Sequence, residues 1–452
     1  MKTLLTLRTM MLGATAILAF TQTARADFGE DQHICNQGIA APDLRIAACT
    51  RQVESGKWEG HNLGVVYSNR STAYLDKGDP DRAMVDLNQA LQLDPRYAPA
   101  YVNRGNAYAQ KKDYDRAILE YNQALDLDPK SVIAYNGRGN AYTNKKDYDR
   151  ALADLNRAVE IDPKYAVAVN GRGVVYVNRN DFDRAIAEYT QSIQLNPKYV
   201  VAYNNRAIAY KAKGDIDRAI ADYTQVVALN PSVAAYFNRA ASYMDKKDYD
   251  RAIADYTKAL EINPRGLDLL NNRAVAYRNE GDLTSAMVDY TQQIELDPKS
   301  WSAYLSRGHL AVLTGSLPLA VADLDKAAEL APKNAYIALW ADIASKRGKT
   351  AGHLADAAKQ VEMATWPGPV INFYLGQSTS EALLAAANSG DPAARTSRTC
   401  GANFYIGEFL LLQGKQDDAA RLFRLAADAS CQSDLFEYES ARAELKALDG
   451  SH

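Results

Sequence analysis

Apolar and small residues return along this chain in two helical stripes per period, separated by a short polar break. In Gly64–Tyr97, Tyr67, Ser71 and Tyr74 share one face, and Lys77-Gly78 then interrupts the pattern. Asp79 can cap a second helix, in which Ala83, Leu87 and Ala90 form the next stripe. Asp94-Pro95 ends it, because the residue before proline avoids the helical region. The pattern predicts a helix, a turn and a second helix.

The same pattern recurs. One arginine falls at 70, 104, 138, 172, 206, 239, 273 and 307, so the interval is 34 six times and 33 once. A proline follows each, at 95, 129, 163, 197, 231, 264, 298 and 332. Candidate caps recur at Asp79, Asp113, Asp147, Asp181, Asp215, Asp248, Asp282 and Ser316. Alanine holds the expected helix crossing in every unit, at Ala83, Ala117, Ala151, Ala185, Ala219, Ala252, Ala286 and Ala320. A fixed period of this length implies stacked units, each covering its neighbour's apolar face. Function is then to be sought in a surface.

Tyr101, Gly105, Tyr108, Ala117, Tyr121 and Pro129 carry a resemblance to the tetratricopeptide repeat (TPR) family, and it extends from Gly64 to Asn334. The resemblance implies an all-α fold, a right-handed α-solenoid of stacked helix-turn-helix TPR units with capping helices. One departure recurs: the register that usually holds leucine in the family holds arginine in all eight units. Each second helix also carries an acid, at Asp86, Glu120, Asp154, Glu188, Asp222, Asp255, Asp289 and Asp323. This predicts a ladder of Arg–carboxylate pairs along the helix interface, with ligand-facing arginines as the alternative.

The flanks differ. Residues 1–26 read as a signal peptide: a basic start, an apolar stretch from Thr9 to Phe20 too short to span a bilayer, and Ala24-Arg25-Ala26 as a cleavage site. No cysteine stands there for a lipid anchor, so a periplasmic or secreted location follows. Removing Lys2, Arg8 and Arg25 moves the net charge from −3 to about −6. A mildly acidic chain without basic runs offers no footprint for nucleic acid, and no later segment is apolar for long enough to be transmembrane. Residues 27–63 read as an N-terminal cap, in which Pro42–Gly56 resembles a second helix without its first. After the eight units (64–334), the period degrades in a divergent helical region (335–399). It returns in a last unit and capping helix (400–452), where an amphipathic stretch from Asp434 to Leu448 could seal the end.

Cys35 and Cys49 lie in the cap, Cys400 and Cys431 around the last helix pair, so two local bridges are the simplest of three pairings. Each loop would give on the order of 3–4 kcal/mol. The histidines are scattered and no Cys-x-x-Cys occurs, so no metal is expected.

Trp366 with Ile371–Gly376, Ala402–Gly407 and Ala419–Ala427 resembles the C-terminal region of the NlpI-type envelope TPR adaptors. That resemblance implies an adaptor for envelope proteins. The absent lipidated cysteine and the larger number of repeats make shared architecture the safer inference than shared partners.

No nucleophile elbow, zinc helix, phosphate loop or dinucleotide turn appears, so no enzymatic activity and no cofactor are expected. What remains is the inner surface formed by the first helices. Asn69, Asn103, Asn205, Asn238 and Asn272 stand just before the recurrent arginine, Asn136, Asn170, Asn204 and Asn271 one residue earlier, and Asn106 and Asn140 one turn on. An amide offers donor and acceptor together, so a ladder facing solvent could pair with the main chain of an extended peptide. The alternative is that these amides solvate their helices or bond neighbouring turns. The function expected is a protein-binding scaffold for envelope polypeptides. The alternative class is a glycan- or cell-wall-binding module using the 28 tyrosines, against which Tyr74 and its repeats occupy a packing register.

Overall fold

The protein is described by a computed structural model covering residues 28–38, 40–428, 430–431 and 436–449. The expected signal peptide, 1–26, lies outside the described residues. Every element among the described residues is helical, and the helices divide between two compact units, one ending at Leu229 and one starting at Asn230.

In the first unit, α1 (Phe28–Asn36) and α2 (Pro42–Glu54) precede five helix pairs. These are α3 (Gly60–Asp76) with α4 (Pro80–Leu93), α5 (Ala98–Gln110) with α6 (Tyr114–Leu127), and α7 (Val132–Asn144) with α8 (Tyr148–Ile161). Then come α9 (Ala166–Asn178) with α10 (Phe182–Leu195), and α11 (Val200–Ala212) with α12 (Ile216–Leu229). The cap thus contains a short first helix that its sparse apolar pattern does not announce. Cys35 and Cys49 are bonded and tie α1 to α2.

The second unit continues with α13 (Val233–Asp245) and α14 (Tyr249–Ile262), α15 (Leu267–Glu280) and α16 (Leu283–Leu296), and α17 (Trp301–Leu313) and α18 (Leu317–Leu330). Helix α19 (Ala335–Arg347) packs on α18 as the first helix of a ninth pair, but its partner is reduced to the single turn α20 (Leu354–Ala357). Short helices α21 (Gly368–Tyr374) and α22 (Ser380–Ala387) lead to α23 (Pro392–Leu412) and α24 (Gln416–Ala426), a pair of repeat type. Cys400 and Cys431 are bonded. The last helix is α25 (Phe436–Asp449). No described helix is long and apolar enough to cross a membrane.

The repeated residues do what their chemistry allows. The carboxylates of Asp79, Asp113, Asp147, Asp181, Asp248 and Asp282 accept the backbone N–H three residues on, and Asp215 does the same from Arg218. Ser316 makes no such bond, so one of the eight expected caps is not used. All eight crossing alanines are fully buried. Opposite them a large side chain fills a small-residue notch: an added Cβ on Gly105 would lie 2.6 Å from the Tyr121 ring, and one on Gly173 would lie 2.5 Å from that of Tyr189.

The arginine ladder forms in full. Arg70 meets Asp86 at 2.7 Å, Arg138 meets Asp154 at 2.7 Å, and Arg307 meets Asp323 at 2.7 Å, each mostly buried. Arg104, Arg172, Arg206, Arg239 and Arg273 pair likewise with Glu120, Glu188, Asp222, Asp255 and Asp289. From Arg138 and Arg206 a further guanidinium nitrogen reaches the second helix of the preceding pair, at Asn122 (2.6 Å) and Thr190 (2.9 Å). Arg138 and Arg206 each join three helices, and the carboxylate beside each raises its pKa against the opposing effect of burial.

Candidate functional site

The first helices of three successive pairs in the first unit, α3, α5 and α7, enclose a cleft of about 550 Å³. Asn103, Asn106, Asn136 and Asn140 line it, joined by Asn144 and Gln110. Asn136, Asn140 and Asn144 lie four residues apart on α7, so successive turns present amides to the same side. That spacing makes Asn144 legible in the sequence, although it stands off the arginine register. The single charge in the lining is Asp76, and Arg45 already holds it at 2.5 Å. A neutral amide surface recognises main-chain donors and acceptors rather than charge.

The amides are less free than a solvent-facing ladder requires. Asn103 donates to Ser68 Oγ at 3.0 Å, Asn205 to Asn170 Oδ1 at 3.0 Å, and Asn69 to Asn36 Oδ1 at 2.9 Å, each one pair back along the chain. Asn272 donates to the Asp268 carbonyl at 2.7 Å. Asn106 Oδ1 accepts from the Tyr121 hydroxyl at 2.7 Å. The expectation that these side chains face solvent is therefore corrected: they hold neighbouring helices as well as line a surface. Asn136 differs, for it is buried and its Oδ1 has no partner among the described residues. Asn140 is exposed, and Asn204 and Asn238 are half-buried and engaged. Asn69, Asn170, Asn204 and Asn205 lie outside the lining of this cleft, while Asn238, exposed Asn271 and Asn272 belong to the second unit.

In the first unit the tyrosines of the packing register are covered by arginine from the following helix. Arg116 stacks 4.6 Å from the Tyr108 ring, Arg150 4.6 Å from Tyr142, and Arg184 4.7 Å from Tyr176. Those faces are closed to a ligand.

Family models for the TPR repeat match residues 72–112, 105–146 and 173–214, and tetratricopeptide repeat models match 132–165, 200–232, 233–265 and 267–300. The chain is a tetratricopeptide repeat protein. No match is found among curated proteins. Similar solved structures include MamA, at 27% identity over 35% of this chain and 93% of that chain with a TM-score of 0.30. YrrB, described as a TPR protein with an unusual peptide-binding site, shares 24% identity over 41% of this chain and 95% of its own (TM-score 0.31). PilW, a type IV pilus biogenesis factor, shares 18% over 45% and 94% (TM-score 0.40).

Proposed function

We propose that this TPR protein is a non-enzymatic scaffold of the cell envelope, and that the amide-lined cleft of its first unit holds an extended polypeptide. The observation that carries the reading is the convergence of five asparagines and a glutamine on one cleft whose only charge is already paired. Asn136 Oδ1, buried without a partner, is an acceptor that a peptide N–H would satisfy. Exposed Ile133 adds an apolar contact in the same lining.

The test is fluorescence anisotropy with labelled 12-residue peptides of mixed sequence. The Asn136→Ala/Asn140→Ala/Asn144→Ala variant should bind roughly tenfold or more weakly, since each lost bond is worth about 0.5–1.5 kcal/mol. Melting should shift little, because Asn136 Oδ1 and exposed Asn140 lose no inter-helix bond and the one Asn144 loses is the exposed 3.3 Å bond from the Tyr114 hydroxyl. An earlier melt with unchanged peptide affinity would place binding elsewhere.

A second reading, glycan binding, rests on a cleft of about 740 Å³ in the second unit, where Trp301, Tyr336 and Trp366 stand with Lys333, Asn334 and Glu362. Pelleting with insoluble peptidoglycan that survives the asparagine substitutions but not Trp301→Ala would favour it.

Two observations support the envelope setting: the N-terminal pattern is that of a cleaved signal, and both cysteine pairs are joined as disulfides, as suits an oxidising compartment. Intact mass of the protein recovered from its host should equal a chain starting near Asp27 with two disulfides and no lipid. A retained Met1 or four free thiols would refute that placement.

A further inference from the structure

The amphipathic C-terminal stretch forms α25, which packs on α23 and α24. It also crosses the first helices of the second unit. Glu439 meets Arg278 of α15 at 3.2 Å, Ser440 bonds His309 of α17 at 2.9 Å, and Glu444 meets Arg347 of α19 at 2.7 Å. Tyr405 of α23 donates to Glu437 at 2.7 Å. One face of α25 is thereby used up.

A second face remains. Tyr438, Arg442 and Lys446, four residues apart, line a cleft of about 740 Å³ whose far side is made by α13, α14, α15, α16 and α17. Val275, Leu283 and Leu313 supply apolar wall and Tyr249 an aromatic one, while Lys247 brings a third cation from the far side. Arg442, Lys446 and Lys247 are exposed and make no ion pair among the described residues. The lining holds four cations with Arg278, against the carboxylates of Asp245 and Glu439. This cationic surplus sits in a chain with 55 acids against 52 bases, so it is local.

We propose that the cleft between α25 and the inner helices of the second unit binds an acidic polypeptide segment with apolar anchors. The non-repeating helix keeps this face cationic: its acids neutralise the arginines of the repeats, and its own cations replace them at the cleft. Charge complementarity selects the acidic partner, and the Val, Leu and Tyr walls give side chains somewhere to pack, which a bare polyanion lacks. The proposal is independent of the amide-lined cleft of the first unit.

The full chain would be titrated with a fluorescent 12-residue peptide of alternating glutamate and leucine, against a lysine–leucine control of equal length. The acidic peptide should bind and the basic one should not. Arg442→Glu/Lys446→Glu should weaken binding roughly tenfold or more, and added salt should weaken it in the parent protein. Lys247→Glu, on the wall opposite α25, should act in the same direction without touching the docked helix. The Asn136→Ala/Asn140→Ala/Asn144→Ala variant should bind this probe as the parent does. Equal binding of both peptides, or charge reversals on both walls without effect, would overturn the proposal. Equally tight binding of inorganic polyphosphate, lost in the same variants, would overturn the assignment to polypeptide.

Discussion

Replacing Arg347 with alanine is expected to destabilise the second unit by about 3–5 kcal/mol, the cost of leaving a buried carboxylate without its cation. Its guanidinium donates to Glu408 at 2.6 Å and to Glu444 at 2.7 Å, and Glu408 is fully buried. Three helices far apart in sequence, α19, α23 and α25, meet at this one group. Burial alone would lower the arginine's pKa, but the two carboxylates more than reverse that. The same burial, opposed by Arg347 and assisted by Glu444, pushes Glu408 up to about 7. Urea unfolding followed by tryptophan emission checks the result, because Trp301, Trp340 and Trp366 all belong to this unit. Exchanging all three charged side chains for apolar ones should recover much of the loss, since a buried ion cluster adds little net stability over well-packed hydrophobic groups. If the single and triple variants unfold alike, the cluster is not the source of the effect.

A pH dependence follows from the same group. Glu408 carries a raised pKa in the folded state, so it binds a proton there that the unfolded chain has released. Its contribution is full below the unfolded value of 4.5 and is lost as pH rises through about 7. His309 acts in the opposite sense: burial lowers it from 6.5 to about 3, so the unfolded state gains protons first and stability falls as pH drops below 6.5. The second unit should lose stability from pH 6.5 to about 8, and Glu408→Gln should flatten that limb.

The paired helices, the proline stops, the crossing alanines and the arginine ladder are legible in the sequence because each depends on spacing within one 34-residue unit. Arg138 finds Asp154 sixteen residues on, and the helix pair fixes that distance whatever lies elsewhere. The partners of the asparagines are not legible in this way. Whether Asn205 reaches solvent or Asn170 depends on side-chain torsions across a repeat interface, which a one-dimensional pattern does not contain. The placement of α25 is hidden for a related reason. Its amphipathy announces a buried face, but contacts such as His309 with Ser440 join residues 131 positions apart. Helix α1 escapes notice because Ile34 and Cys35 give too short an apolar pattern to identify a nine-residue helix.

Tyr121→Ala should cost about 3–5 kcal/mol in the first unit, the usual range for emptying a large buried aromatic site. The ring is 1% exposed and lies between Gly105 and Gly137, where an added Cβ on either glycine would come within 2.6 Å of it. Two glycines cannot relax into the space that the ring leaves, so the cavity should persist. The repeat supplies its own control. In the same register one unit on, Leu155 fills the notch between Gly139 and Gly171 and is fully buried. Tyr121→Leu should therefore cost much less, about 1–2 kcal/mol, part of it from the hydroxyl bond to Asn106. That bond links the core to the amide-lined cleft, because it fixes the Asn106 side chain that the cleft presents. Tyr121→Phe, which removes only the bond, should cost about 0.5–1.5 kcal/mol, well below Tyr121→Ala, while altering peptide affinity. Chemical denaturation with parallel anisotropy titrations checks all three variants. A Tyr121→Leu protein as unstable as Tyr121→Ala would show that neighbouring repeats do not share interchangeable packing, and Tyr121→Phe with parent-like peptide affinity would detach the core tyrosine from the binding surface.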